Sequence, residues 1–140
     1  MVIKINGTEY NIKTSFVQLT WSEFVSAIES NGLKRVSVLS SIPIELLESM
    51  PLTQLSEIIN TITFFDSVDE IATYSKPYTS DLSVGSETYG KIEKAKALLK
   101  KYQSNTLKAG AEIVKTYTGE DISSKPVTDV YNMVAFFLPR

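Results

Sequence analysis

The sequence contains neither cysteine nor histidine. The lack of cysteine excludes disulfides, thiolate nucleophiles and cysteine-based zinc sites, and the lack of histidine removes the commonest general base and the commonest transition-metal ligand. Most familiar hydrolase and metalloenzyme designs are therefore excluded. We expect a non-enzymatic protein with no catalytic residue, no metal site and no cofactor.

Long apolar runs are also missing. No stretch approaches the roughly 18 apolar residues that a membrane span requires, and residues 1–7 lack the apolar core of a signal peptide. We therefore expect a protein made in a cytoplasm that has no membrane partner.

What is present is an ordinary globular composition. The 140 residues are 43% apolar, which suits one domain with one core and needs no disulfide or metal to support it. Residues 1–140 are thus predicted to form a single domain. Its fold class is predicted as α+β, predominantly α-helical with an N-terminal β-hairpin. The predicted regions are a hairpin at about 1–13, helices at about 20–65, a loop at about 66–86 and helices at about 87–138.

The net charge of −2 conceals an asymmetry along the chain. Residues up to Gly85 include five basic and ten acidic side chains, whereas the later residues include nine basic and six acidic ones. One explanation is that two solvent-exposed surfaces differ in net charge by chance. The alternative is that the charge asymmetry orients subunits head to tail by electrostatic complementarity.

The hairpin prediction rests on two alternating segments around Asn6-Gly7. Asn-Gly favours a tight turn because both central residues of that turn need a positive φ. An isolated two-stranded hairpin is only marginally stable, so its apolar side chains must pack on a helix or pair with a further strand, which another chain could supply. These side chains are Ile3, Ile5, Tyr10 and Ile12.

Capping and proline signals predict the first helices. Thr20 and Glu23 form a capping box that starts a helix at Trp21, and Asn31-Gly32 is expected to end it. Pro43 and Pro51 suit the first turns of later helices. The corresponding segments are Leu33 to Ile42, Ile44 to Ser49 and Leu52 to about Phe64, the last with an apolar stripe of Leu52, Leu55, Ile58, Ile59 and Ile62.

Helical periodicity disappears from Asp66 to Ser86, which predicts a loop, and then returns. Gly110 lies inside one of the later helices, where glycine costs about 1 kcal/mol relative to alanine. Gly119 is expected to end that helix, and Pro126 to open the last one. The predicted segments are Glu87 to Gln103, Leu107 to Tyr117 and a C-terminal helix from Pro126.

Two groups of charged residues are candidates for binding or chemistry. Paired carboxylates can act as general acid and base or hold a hard cation, but the acids also suit a solvated face. Helical geometry places Lys91, Lys94 and Lys101 near one another and Lys96 and Lys100 elsewhere, so nucleic-acid binding is not the leading expectation. The acidic group is Glu45, Glu48, Glu57, Asp66, Asp69 and Glu70, and the basic group also includes Lys108.

Two aromatic pairs, Phe64-Phe65 and Phe136-Phe137, are the candidate interface residues. Adjacent positions point to different faces of a helix that can bury only one stripe, so one ring of each pair is available to anchor a partner protein. The alternative is that both rings of each pair belong to a core covered on several sides.

Taken in order, several short motifs resemble small proteins encoded in the structural modules of tailed bacteriophages, of the tail-assembly-chaperone or minor-virion-protein type. The motifs are Ile5-Asn6-Gly7; Leu19-Thr20-Trp21 with Phe24; residues 38–43 with Glu45 and Leu46; Leu52 and Leu55 before Phe64-Phe65; Tyr89-Gly90-Lys91; and Phe136-Phe137-Leu138. The resemblance implies binding of a tail or baseplate protein during assembly, or a subunit role in the virion.

The resemblance further implies that the partners are other phage structural proteins, with self-association as an additional option. It places the protein in the host cytoplasm during assembly, or in the virion. A small regulatory protein that binds nucleic acid through the lysine-rich half is the alternative function.

Overall fold

The computed structural model describes residues 1–78, 89–102 and 105–137. It confirms a mostly helical α+β fold with an N-terminal hairpin. The strands are β1 (Val2–Ile5) and β2 (Thr8–Asn11), and two 3₁₀ helices cover Phe16–Gln18 and Ile62–Glu70. The α-helices are α1 (Trp21–Ile28), α2 (Gly32–Ser40), α3 (Ile44–Ser49), α4 (Leu52–Thr61), α5 (Ile71–Tyr74), α6 (Tyr89–Lys101), α7 (Thr106–Thr118) and α8 (Val127–Phe137).

The hairpin turns at Asn6 and Gly7, whose φ values of 51° and 84° confirm the predicted turn. It packs on helices of its own chain, because Ile12 is fully buried in the helical core. The amide of Lys13 donates to the carbonyl of Leu39 at 3.0 Å, which joins the strand end to α2. The other apolar side chains of the hairpin, Ile3, Ile5 and Tyr10, are half-buried against the same core.

The predicted capping box begins α1. Thr20 Oγ1 accepts from the Glu23 amide at 3.2 Å, and Glu23 Oε1 accepts from the Thr20 amide at 3.0 Å. The predicted end of this helix is wrong, since α1 stops at Ile28 and Gly32, with φ of 55°, begins α2. Arg35 Nε donates to the Ala27 carbonyl at 2.9 Å, so a side chain of α2 satisfies the end of α1.

Pro43 and Pro51 immediately precede α3 and α4, as predicted. The predicted apolar stripe of α4 is only partly buried. Ile58 lies in the core, whereas Leu52 is 77% exposed and Ile59 is 41% exposed. Part of the α4 stripe therefore faces solvent.

The predicted loop at about 66–86 is wrong over residues 66–74, which are helical. The chain bends at Ser67, whose φ of −91° and ψ of 23° are not helical, and Phe65, Val68 and Ile71 pack on the core on either side of the bend. Because of this bend, the apolar residues on the two sides do not share one α-helical face, so the search for α-helical periodicity gave no helix here. The predicted loop residues 79–86 lie outside the described residues.

The later helices form a compact group around Gly110. A Cβ atom built on Gly110 would lie 2.7 Å from Cγ1 of Val134 in α8 and 3.1 Å from Cζ2 of Trp21 in α1. Such distances are too short for a side chain, so glycine lets α7 approach both neighbours closely. Gly119, with φ of 80°, ends α7 as predicted.

Backbone hydrogen bonds join the starts of α1 and α8. The amide of Trp21 donates to the Lys125 carbonyl at 2.9 Å, and the amide of Val127 donates to the Leu19 carbonyl at 2.7 Å. Thr20 and Pro126 form an isolated antiparallel bridge between these two bonds. Two segments that are far apart in sequence are therefore joined directly by backbone hydrogen bonds.

The helices pack in a definite order. α6 packs on α7, α7 packs on α1 and α8, and α4 packs on α2 and on the 3₁₀ helix Ile62–Glu70. α4 and α6 thus pack on different neighbouring elements. None of the described helices combines the length and apolar character needed to cross a bilayer.

Candidate functional site

The structure separates the two rings of the Phe64-Phe65 pair. Phe65 lies in the core, with its ring centroid 6.1 Å from that of Phe24 and the Arg35 guanidinium 5.2 Å away. Phe64 is half-buried and makes an edge-to-face contact with Phe16 at 5.1 Å. Of the two candidate interface residues, only Phe64 reaches the surface.

Phe64 lines a surface pocket of about 330 Å³, which we call the Phe64 pocket. The flanking side chains Val17 and Tyr74 are 64% and 62% exposed. The pocket is mainly apolar, and its volume is at the lower end of the range for ligand pockets. Its lining residues are Ser15, Phe16, Val17, Phe64, Ser67, Tyr74 and Thr128.

The Phe64 pocket adjoins acidic residues. Asp66, Asp69 and Glu70 are exposed on the same 3₁₀ helix that carries Phe64. The Tyr74 hydroxyl donates to Glu70 Oε2 at 2.9 Å, and this hydrogen bond together with the carboxylate charge raises the pKa of Tyr74. The surroundings suit an apolar side chain flanked by basic residues.

The Phe136-Phe137 pair is divided in the same way. Phe137 is buried and stacks on Tyr117 with centroids 5.1 Å apart and ring planes at 19°. Phe136 is 39% exposed and contacts Tyr78 with centroids 5.3 Å apart. Phe65 and Phe137 are therefore core residues, and the surface candidates reduce to Phe64 and Phe136.

The six acidic candidates are all exposed, as a solvated face requires. In residues 1–78, 89–102 and 105–137, no three carboxylates come together in a group that could hold a metal ion. They contribute negative charge to the surfaces of α3, α4 and the following 3₁₀ helix.

Three lysines converge on a groove of about 700 Å³ between α6 and α7, which we call the lysine groove. Of the three lysines predicted to lie near one another, Lys94 and Lys101 both line it, whereas Lys91 does not. Lys115 also lines the groove, but sequence reasoning missed it because it belongs to the next helix. The remaining lining residues are Ala97, Leu98, Glu112 and Thr116.

A third depression, about 360 Å³ in volume, lies between α1 and α7 over Trp21. Its polar side chains pair with one another. The Tyr102 hydroxyl donates to Glu112 Oε1 at 2.6 Å, and Lys108 Nζ lies 3.5 Å from Glu29 Oε2. The hydrogen bond to Glu112, followed by burial, raises the pKa of Tyr102. These pairs join α1, α6 and α7.

Sequence reasoning did not identify this depression, because its residues come from helices far apart in the chain and each has an ordinary surface explanation. The chain matches no protein-family model, no curated protein and no solved structure. The surfaces above and the motifs of the sequence are therefore the features that bear on function.

Proposed function

We propose that this protein is a non-enzymatic assembly or structural protein of a tailed bacteriophage that acts through protein–protein contacts. It would serve as a tail or baseplate assembly chaperone or as a minor virion subunit. The observation that carries the protein-binding part is the Phe64 pocket with its exposed neighbours Val17 and Tyr74. The phage class is supported by the order of the sequence motifs.

A protein partner suits the Phe64 pocket for two reasons. Covering Val17 and Tyr74 would remove apolar surface from water, which is the main favourable contribution to protein association. Aromatic side chains such as Phe64 and Tyr74 are also enriched among the residues that dominate binding energy. The acidic 3₁₀ helix beside them favours a partner segment that carries basic residues around an apolar anchor.

Site-specific photocross-linking tests this proposal. A photoreactive phenylalanine analogue is placed at Tyr74, and the protein is produced together with the tail and baseplate proteins encoded beside it. We expect a cross-link to one of these proteins from position 74. The matched control is the same analogue at Val2, which is 61% exposed on the hairpin and should give none.

The proposal fails if position 74 yields no cross-link to any of those proteins, or if position 2 cross-links equally well. Mass spectrometry of purified virions then separates the two roles. A stoichiometric amount in the virion identifies a subunit, whereas absence from virions, combined with a cross-link during assembly, identifies a chaperone.

Nucleic-acid binding is a second candidate function, favoured by the convergence of Lys94, Lys101 and Lys115 on one groove. Lysines that neutralise phosphates give binding that weakens steeply as salt rises. A mobility-shift assay at low salt tests it. Reversal of Lys94 and Lys101 to glutamate should abolish a genuine shift, and no shift with the unaltered protein excludes this function.

A further inference from the structure

Charge is segregated between two parts of this molecule. Between Arg35 and Lys76 the chain has six acidic residues and no basic one. From Tyr89 to Thr118, which spans α6 and α7, it has seven lysines and two glutamates. The six acids are exposed on α3, α4 and the 3₁₀ helix Ile62–Glu70, and we call them the acidic surface. They are Glu45, Glu48, Glu57, Asp66, Asp69 and Glu70.

The fold keeps these two charged regions apart. α4 packs on α2 and on the 3₁₀ helix Ile62–Glu70, whereas α6 packs on α7, and α1 contacts both α2 and α7. One copy cannot readily neutralise its lysine groove with its own acidic surface. The lysine groove of one copy can instead contact the acidic surface of another copy.

Both regions also combine charge with exposed apolar atoms. The lysine groove has Ala97 and Leu98 between its lysines. On the acidic side, α4 carries Glu57 and also exposes the apolar side chains of Leu52 and Ile59. An interface with apolar contacts at its centre and opposite charges around them is the usual arrangement of a specific protein contact.

We infer that the lysine groove of one copy docks the acidic surface of a second copy, so that the protein self-associates head to tail. A groove that meets a different surface makes a heterologous contact, and such contacts repeat into rings or open chains rather than stopping at a symmetric dimer. Each added copy leaves one groove and one acidic surface free for the next.

Complementary charge reversal tests the inference with purified protein alone. The groove variant is Lys94→Glu with Lys101→Glu, and the acidic variant is Asp66→Lys with Asp69→Lys. The control for the first is Lys96→Glu with Lys100→Glu, which makes the same charge change on the same helix at positions that do not line the groove. The control for the second is Glu9→Lys with Glu120→Lys, two exposed positions on other segments.

Sedimentation velocity should show self-association of the unaltered protein at low salt, with a dissociation constant at least about tenfold higher in high salt, where charges are screened. Each variant should weaken association at least about tenfold, while its control changes it less than about twofold. Mixed together, the groove and acidic variants retain one original pair of surfaces and create a second pair in which both charges are reversed, so the mixture should associate at least about tenfold more tightly than either variant alone.

The inference is overturned if the unaltered protein stays monomeric at low salt, or if the two variants do not pair when mixed. It is also overturned if the groove variant loses nucleic-acid binding while self-association is unchanged. Because these measurements use no other protein, they are independent of the cross-linking test of the proposed function. Circular dichroism spectra that match the unaltered protein confirm that the variants are folded.

Discussion

Gly110 of α7 and Val134 of α8 lie so close that a Cβ atom on Gly110 would be 2.7 Å from Cγ1 of Val134. The six-membered ring of Trp21 closes the other side, at 3.1 Å. Glycine lowers the helix propensity of α7, but its lack of a side chain allows α7 to pack closely against both α8 and α1. A residue that weakens α7 by itself strengthens the packing of the whole domain.

The first prediction follows from this contact. Gly110→Ala should lower the free energy of unfolding by about 1–3 kcal/mol, because the added methyl group overpacks a rigid contact and outweighs the gain in helix propensity. Gly90→Ala in α6 is the control, since among the described residues no atom outside its own helical turn lies within 4 Å of the added Cβ. It should leave stability unchanged or raise it by up to about 1 kcal/mol. Urea unfolding measures both, and a Gly110→Ala protein as stable as the original would contradict the packing argument.

The capping box at the start of α1 gives the second prediction. Thr20→Ala removes the oxygen that accepts from the Glu23 amide, and should lower the free energy of unfolding by about 0.5–2 kcal/mol. Thr53→Ala, an exposed position in α4, should have a much smaller effect. Chemical denaturation of the two variants makes the comparison, and equal effects would argue against a capping role for Thr20.

The division of the Phe64-Phe65 pair gives the third prediction. Phe65→Ala should destabilise the fold by about 3–5 kcal/mol because it leaves a cavity among buried aromatic rings. Phe64→Ala should cost clearly less, because that ring is already partly in solvent. Thermal and urea unfolding measure the loss of stability in each variant. A larger loss for Phe64→Ala than for Phe65→Ala would show that Phe64 is a core residue and not a surface anchor.

The contact between Tyr102 and Glu112 gives the fourth prediction. The hydrogen bond raises the pKa of Tyr102 above 10.0 in the folded protein. Its contribution to stability is thus fully present below pH 10, the unfolded value, and is lost as the pH rises through the higher folded value. Glu112→Gln should move the pKa of Tyr102 back towards 10.0. NMR titration of labelled tyrosines measures it, in a Tyr74→Phe background because the pKa of Tyr74 is also raised.

An unshifted Tyr102 signal in the Glu112→Gln protein would show that the carboxylate does not control this titration. The same titration of the Glu70→Gln variant, in a protein that keeps Tyr74, should affect the Tyr74 signal alone. The two tyrosines therefore serve as controls for each other.

Local signals in the sequence correctly predicted one tight turn and several helix starts, although Asn31-Gly32 did not end the first helix as predicted. The Asn6-Gly7 turn, the Thr20 capping box and the helix starts at Pro43 and Pro51 depend on backbone geometry within a few residues. The segment after Phe64 was missed because the bend at Ser67 divides it into short helical pieces, none of which is long enough to show an α-helical period.

Features that depend on packing between helices were not accessible from the sequence. Lys115 joins Lys94 and Lys101 only because α6 and α7 lie side by side. The exposure of Leu52 and the burial of Phe65 likewise depend on which faces of their helices the neighbouring elements cover. Periodicity identified the apolar residues of α4, but it could not tell which of them a neighbour would bury.

The backbone bonds between the starts of α1 and α8 have a consequence for synthesis on the ribosome. The first turn of α1 needs the carbonyl of Lys125, and Leu19 needs the amide of Val127. A growing chain has made α1 long before these partners leave the exit tunnel. This junction between α1 and α8 therefore closes only after residues 125–127 have left the exit tunnel. Until α7 has also been made, the Trp21 ring lacks the Gly110 surface that lies against it in the folded protein.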